Sequence, residues 1–281
     1  MSCLYALSLV LVLASAPQQP LTRIVVPAPG ETQEIVLLDG TRALGRVEEV
    51  REDLVTFRTT AGAAIQVTRS QIETVTLVAG RLVDGTFWPA DPNPTRLLFG
   101  PTARALKRGQ SYLAVYEVSL PFVQVGLTDR ISVGAGTLPY FGAGTAHPFW
   151  VTPKVQVFAG QKTSVAVGAL HFANFGGHHL GIGYGVVTHG SADSAVTAGL
   201  GYGYVSGKDR GGAPIVMVGG EHRAARRIKL VTENYAFRGG GLLSGGVRLL
   251  GERMTVDFAL VTPLNTEQFI AFPLVNFVWT F

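Results

Sequence analysis

The chain has 281 residues, 47% hydrophobic and only 15% charged, with mean hydropathy +0.30 and formal net charge +4. Such apolar character points to a membrane, yet beyond the first sixteen residues no run approaches the ~18–20 apolar residues of a spanning helix. A bilayer accepts only helices and closed barrels, because backbone polar groups find no water there, so the composition excludes a helical span and leaves a barrel.

Leu4 to Ala14 forms an apolar stretch followed by Ala14-Ser15-Ala16 and Pro17, the pattern of a secretory signal cleaved after Ala16. Met1-Ser2-Cys3 adds no positive charge to it, and Cys3 precedes the apolar stretch, so it is not a lipid-attachment cysteine. Residues 1–16 are expected to be an export signal and residues 17–33 a Pro-rich linker. Once Cys3 is removed no cysteine is left, which excludes disulfides and thiolate metal sites.

Residues 34–78 read as a small β-domain. Ile35-Val36-Leu37-Leu38 runs into Asp39-Gly40, a tight-turn signal. Leu44 to Val50, Leu54 to Phe57, Ile65 to Val67 and Ile72 to Leu77 supply four more short strands. Five strands in so short a segment resemble an SH3-like or Sm-like small barrel. Residues 79–94 are expected to be a second linker.

From residue 95 to 281 strand-length segments alternate with two kinds of connection. Short ones fall at Thr128-Asp129-Arg130, Gly160-Gln161-Lys162, Ser191-Ala192-Asp193, Ala224-Ala225-Arg226 and Gly251-Glu252-Arg253; longer ones fall at 140–148, 174–178, 207–213, 238–240 and 263–268. Strict alternation of short turns and long loops is the pattern of a transmembrane antiparallel barrel. Eleven strands are visible from Ser111 to Phe281. Placing the small domain in the periplasm requires one more, and Arg96 to Leu106 supplies it, with Lys107-Arg108-Gly109-Gln110 as the first external loop. The expected barrel therefore has about twelve strands. On two of them Leu180, Ile182, Tyr184 and Val186, then Val196, Ala198, Leu200, Tyr202 and Tyr204, are expected to face lipid, with the glycines between them facing the interior.

Phe277, Trp279 and Phe281 alternate on the last strand. This resembles the C-terminal signal read by the bacterial barrel-assembly machinery. The stretch Asp91-Pro92-Asn93-Pro94-Thr95-Arg96, then Gly100-Pro101-Thr102-Ala103, then Gly109 and Tyr112, is similar to a motif of uncharacterised bacterial exported barrel proteins. That resemblance implies an outer-membrane address and a fold, and no activity.

Glu117, Lys154, Lys229, Glu233, Arg248 and Asp257 fall on strands opposite the apolar stripe. Arg or Lys at mid-bilayer costs about 2–4 kcal/mol, so these side chains are expected to form a cluster in the lumen, with Arg248 against Glu233 or Asp257. His178-His179 has no partner at ligand spacing. The period-two glycines Gly181, Gly183 and Gly185, then Gly199, Gly201 and Gly203, lie inside strands and are not phosphate loops. No nucleophile setting is recognisable, so neither an enzyme nor a cofactor is expected. Expected partners are outer-membrane lipid, the assembly machinery and, for the small domain, cell wall or a periplasmic protein. Eight acidic residues against five arginines between Glu31 and Gly80 argue against nucleic acid. Two functions follow: a narrow pore or solute channel, or a structural or adhesive envelope protein with a filled lumen and a periplasmic tethering domain.

Overall fold

The computed structural model describes residues 24–138, 148–175, 178–206, 211–265 and 268–281. The expected export signal lies outside the described residues, as does much of the long connections. The chain divides into two compact units at Leu77/Val78.

The first unit contains β1 (Thr32–Leu37), β2 (Arg42–Arg51), β3 (Leu54–Thr59), β4 (Ala64–Thr68) and β5 (Ile72–Val78), in the sheet order β4-β3-β2-β1-β5. Alternation puts Ile35, Val47, Val55, Phe57, Val67 and Ile72 on one side, where they form its core. The Asp39-Gly40 signal marks a turn: Gly40 has φ +85°, and the Thr41 amide donates to Asp39 Oδ1 at 2.8 Å.

The second unit opens with a hairpin of β6 (Gly80–Val83) and β7 (Thr86–Pro89), where the sequence suggested a linker. After an irregular stretch come β8 (Ser111–Tyr116), β9 (Leu120–Gly126), β10 (Ile131–Thr137) and β11 (Phe149–Ala159). Next are β12 (Thr163–Phe175), β13 (His178–Gly190), β14 (Ser194–Ser206) and β15 (Gly211–Ala225). The last four are β16 (Ile228–Phe237), β17 (Gly240–Leu250), β18 (Met254–Leu264) and β19 (Phe272–Thr280). Strands β8 to β19 form a closed barrel of twelve, sealed where Thr280 of β19 pairs with Tyr112 of β8.

Twelve is the expected number, but its first members differ from expectation. Arg96 to Leu106 is not a strand. A lipid-facing strand would alternate, whereas Arg96, Leu97 and Leu98 are consecutively buried at 2%, 0% and 1% exposure. The missing strand comes instead from a turn at residues 117–119, which splits the stretch after Ser111 into β8 and β9. Glu117 and Val118 both have positive φ, +49° and +60°, and the Ser119 amide donates to the Tyr116 carbonyl at 3.1 Å. Hairpin turns of this hand favour Asn-Gly, and Glu-Val gives no such signal. Lys107 to Gln110 in turn is no external loop. It joins the end of the irregular stretch to β8 beside Gly126, at the end of the barrel that carries the short connections.

Among the described residues of the twelve strands, seven are Asp, Glu, Lys or Arg, and all seven are at most 6% exposed. The opposite face carries Val167, Val196, Leu200, Val218, Phe258 and Leu260, each 45% exposed or more. The barrel is thus charged within and apolar without, the inverse of a soluble protein.

Replacing Glu117-Val118 by Asn-Gly is expected to raise the urea midpoint for unfolding, because each L-residue held left-handed costs roughly 1–2 kcal/mol. An unchanged or lower midpoint would show that these two residues are not strained.

Candidate functional site: a lumen shared by a charged insert and an aromatic cavity

The irregular stretch from Asp91 to Leu106 runs inside the barrel. Pro92 and Pro94 fix φ and remove two amide donors, and short side chains bridge the local turns. The Asn93 amide donates to Asp91 Oδ1 at 2.9 Å, and Thr95 Oγ1 donates to Asn93 Oδ1 at 2.7 Å. Thr95 to Thr102 then folds into a small hairpin, with the Leu97 amide on the Gly100 carbonyl at 2.8 Å and the Thr102 amide on the Thr95 carbonyl at 3.0 Å. Leu97 and Leu98 pack against Ala166, Val186, Met217 and Leu274 from the wall. Leu97 rests on Gly219, where an added Cβ would lie 2.3 Å from Leu97 Cδ1.

Irregular backbone cannot satisfy itself, and a buried amide or carbonyl without a partner is costly. The wall provides those partners through its side chains. Glu233 Oε2 accepts the amides of Leu98, Phe99 and Gly100 at 2.7, 2.9 and 2.9 Å, while its Oε1 accepts the Tyr235 hydroxyl at 2.7 Å. Lys154 does the converse, its Nζ donating to the carbonyls of Thr95, Thr102 and Arg104 at 3.2, 3.2 and 2.8 Å. Ala103 is held from both sides: its amide donates to Thr188 Oγ1 at 2.8 Å, and its carbonyl accepts Gln156 Nε2 at 3.0 Å.

The remaining charges pair across the insert. Arg248 Nε donates to Asp257 Oδ1 at 2.7 Å, and Arg96 of the insert donates to Asp257 Oδ2 at 2.6 Å. Arg248 also reaches the Leu97 carbonyl. Lys229 Nζ donates to Asp91 Oδ2 at 2.6 Å and to Glu221 Oε2 at 2.9 Å. Glu221 accepts Arg104 on its other oxygen. The ion pairs thus join the carboxylates Asp91, Glu221 and Asp257 to the cations Arg96, Arg104, Lys229 and Arg248, while Glu233 and Lys154 hold the main chain of the insert.

Of the six residues expected to form a lumen cluster, Lys154, Lys229, Glu233, Arg248 and Asp257 are buried and point inward. Glu117 does not join them. It sits exposed in the turn between β8 and β9, because the chain reverses there instead of continuing as one strand. Phe277 and Trp279 are 40% and 44% exposed on the outer face, and Phe281 follows the end of β19. Sequence reasoning missed Asp91, Arg96, Arg104 and Glu221. Asp91 and Arg96 lie in the quoted motif, and the clustering of prolines around Arg96 was the available sign that the segment is not a strand.

The two glycine repeats are not equivalent. On β14 the glycines face inward as expected, but on β13 Ile182, Tyr184 and Val186 also face inward, contrary to expectation. Register explains it: Ile182, Tyr184 and Val186 pair with Gly203, Gly201 and Gly199, so each bulky residue lies beside a glycine. An added Cβ on Gly201 would lie 2.9 Å from Ile182 Cγ2.

Toward the end with the long connections, beyond the insert, the lumen opens into a cavity of about 270 Å³. Phe99 of the insert forms part of its floor, and Tyr116, Phe122, Trp150 and Phe172 run along its wall. Successive ring centroids along this path are 5.1, 5.8, 6.3 and 5.8 Å apart. Phe122 and Trp150 lie nearly parallel, at 4°, over the inner face of β10. That face carries Gly134 and Gly136, where an added Cβ would lie 2.3 Å from the Phe122 ring and 2.2 Å from the Trp150 ring. On the outer face His179 stacks on His171 at 5.6 Å, and His171 bonds the Tyr204 hydroxyl at 2.7 Å. The side chain of His178 lies outside the described residues. Among the described residues no group of three His, Cys, Asp or Glu could hold a metal ion.

No family model matches the chain. No curated protein matches it either. Among solved structures, the chain is similar to the KdgM porin in complex with disordered oligogalacturonate, with a TM-score of 0.46 and 7% identity over 61% of this chain and 98% of that one. It is also similar to a loop-L8 deletion mutant of OmpT, an outer membrane protein of Vibrio cholerae (TM-score 0.39, 12% identity, 90% and 97% covered). A third is Salmonella typhi OmpF in complex with daunomycin (TM-score 0.34, 8% identity, 89% and 96% covered).

Replacing Glu233 by Ala leaves three amides without an acceptor, at about 1–3 kcal/mol for each of the two buried ones. The insert should loosen. In a Cys3→Ser background, Leu98→Cys is expected to resist maleimide in the folded protein and to react readily once Glu233→Ala is added. Equal protection with and without Glu233 would mean that this carboxylate does not anchor the insert.

Proposed function

We propose that the protein is an outer-membrane barrel held shut by its own insert, a binding or structural envelope protein and not an open pore. The observation that carries this reading is the path of Asp91 to Leu106 through the lumen, with Glu233 and Lys154 gripping its backbone. The membrane address is supported by the inward charges and the outward apolar face. Of the two functions the sequence suggested, the filled lumen is favoured, since barrels of ~8 strands are filled and those of ~16 leave a channel, and here the insert occupies the intermediate space.

The same reading puts the first unit in the periplasm as a tether to cell wall or a periplasmic protein. Its sheet order, β4-β3-β2-β1-β5, supports the SH3-like class. The outward Phe277 and Trp279, with Phe281 close behind, support a signal for the assembly machinery. No step of this reading requires an enzyme or a cofactor.

Two measurements test it. The protein is expected to fractionate with outer membranes and to change gel mobility on boiling; recovery as a soluble monomer without detergent would overturn the address. In planar bilayers the native barrel is expected to stay electrically silent, while the Lys154→Ala/Glu233→Ala double variant conducts. Steady conductance by the native protein would restore the pore.

A further inference from the structure

The cavity above the insert differs in chemistry from the rest of the lumen. The insert fills the half of the barrel near the short turns with paired charges. In the other half space remains open although bulky side chains line it. Small residues keep it open: Gly134 and Gly136 let the Phe122 and Trp150 rings lie flat on β10, and Gly199 and Gly201 take up the inward side chains of β13. The cavity, about 270 Å³, exceeds the ~150 Å³ apolar cavity that stays dry and accepts benzene.

The charged groups at its base are held by other partners, and the two lining atoms without one, Arg96 Nε and Thr152 Oγ1, are themselves buried. Arg96 is paired with Asp257 at 2.6 Å, and Lys154 is bound to three carbonyls. Gln124 accepts the Tyr112 hydroxyl at 2.7 Å and donates to Ser132 at 2.9 Å. A ligand with a charge would therefore be desolvated without a partner. The wall offers ring faces and edges, with neighbouring planes tilted at 41° to 46° between Phe99 and Tyr116, Tyr116 and Phe122, and Trp150 and Phe172. Aromatic ligands gain from both arrangements beyond the area they bury. A lipid acyl chain fits less well. The paired strands close the wall all round, so a chain anchored in the bilayer has no side entrance.

We propose that this cavity binds a small, neutral aromatic compound of one ring or two fused rings. The proposal deepens the reading of a closed barrel by naming what the open half of its lumen holds. The test is equilibrium dialysis of naphthalene against the detergent-solubilised full chain, with empty micelles as the blank and dodecanoate and 2-naphthoate as parallel probes. Naphthalene is expected to bind in excess of the micelle blank. 2-Naphthoate should bind about a hundredfold more weakly, because its carboxylate would be buried unpaired. Leu170→Trp and Ile215→Trp, from different strands, put side-chain volume into a space that cannot expand, and each should weaken naphthalene binding about tenfold or more. Boiling-dependent gel mobility shows whether each variant has folded. Phe122→Leu, which removes a ring without filling the cavity, should weaken it several-fold.

Naphthalene uptake no greater than by empty micelles overturns the proposal, as does undiminished binding in both folded tryptophan variants. Tighter binding of dodecanoate would reassign the cavity to acyl chains, and tighter binding of 2-naphthoate would show a cation free to receive an anion. Conductance separates this outcome from the previous one. A silent barrel that fails to bind sinks only the ligand, and a conducting barrel that binds sinks only the closure.

Discussion

Irregular backbone inside a barrel must find a partner for every amide and carbonyl, and most of the second unit follows from that requirement. Strands satisfy each other around the wall, but the stretch from Asp91 to Leu106 cannot. The solution is to aim long polar side chains at the main chain, Glu233 at three successive amides and Lys154 at three carbonyls. Each of these side chains meets three main-chain groups at once, so few wall residues suffice. The other ion pairs, Asp257 with Arg96 and Arg248, and Asp91 with Lys229, add the neutralisation that lets so many charges share a small space.

The lumen is thereby divided along its axis by chemistry. Position on a strand decides which kind of side chain points inward. On β11 Trp150 lies toward the long connection and Lys154 and Gln156 toward the short one. On β13 Ile182 and Tyr184 precede Thr188, and on β16 Lys229 precedes Glu233 and Tyr235. Glycine serves this division on the wall rather than at turns, because an inward ring beside a glycine needs no displacement of its neighbour.

The sequence was readable where a rule of the strand period applied and unreadable where the chain left the wall. The five strands of the first unit and the barrel strands from β10 onward follow from alternation and turn residues. Parity demanded a twelfth strand, and it exists, but not at Arg96–Leu106; it arises from a reversal at Glu117-Val118 that carries none of the usual turn residues. Inward charge on the strands was legible for Lys154, Lys229, Glu233, Arg248 and Asp257, since lipid forbids the alternative. The contact of Arg248 with Asp257 was legible as well, but the partners on the insert were not, because Asp91 and Arg96 belong to a segment whose ion-pair partners are more than a hundred residues away. For β13 alternation gave two faces without saying which was inside. Only register against the glycines of β14 decides that, and register is a property of pairs of strands.

The insert goes in from the hairpin of β6 and β7 and comes out at Lys107–Gln110. The Phe87 and Pro89 carbonyls accept from Arg226 and Arg223, and Gly126 bonds Gln110, so both passages lie at the same rim. The segment is therefore a loop laid into the ring and not a chain passed through it. No knot or thread holds it, and it can be withdrawn with every pair of strands intact. What retains it is electrostatic and local, a latch whose strength single substitutions can set while the cylinder around it stays whole.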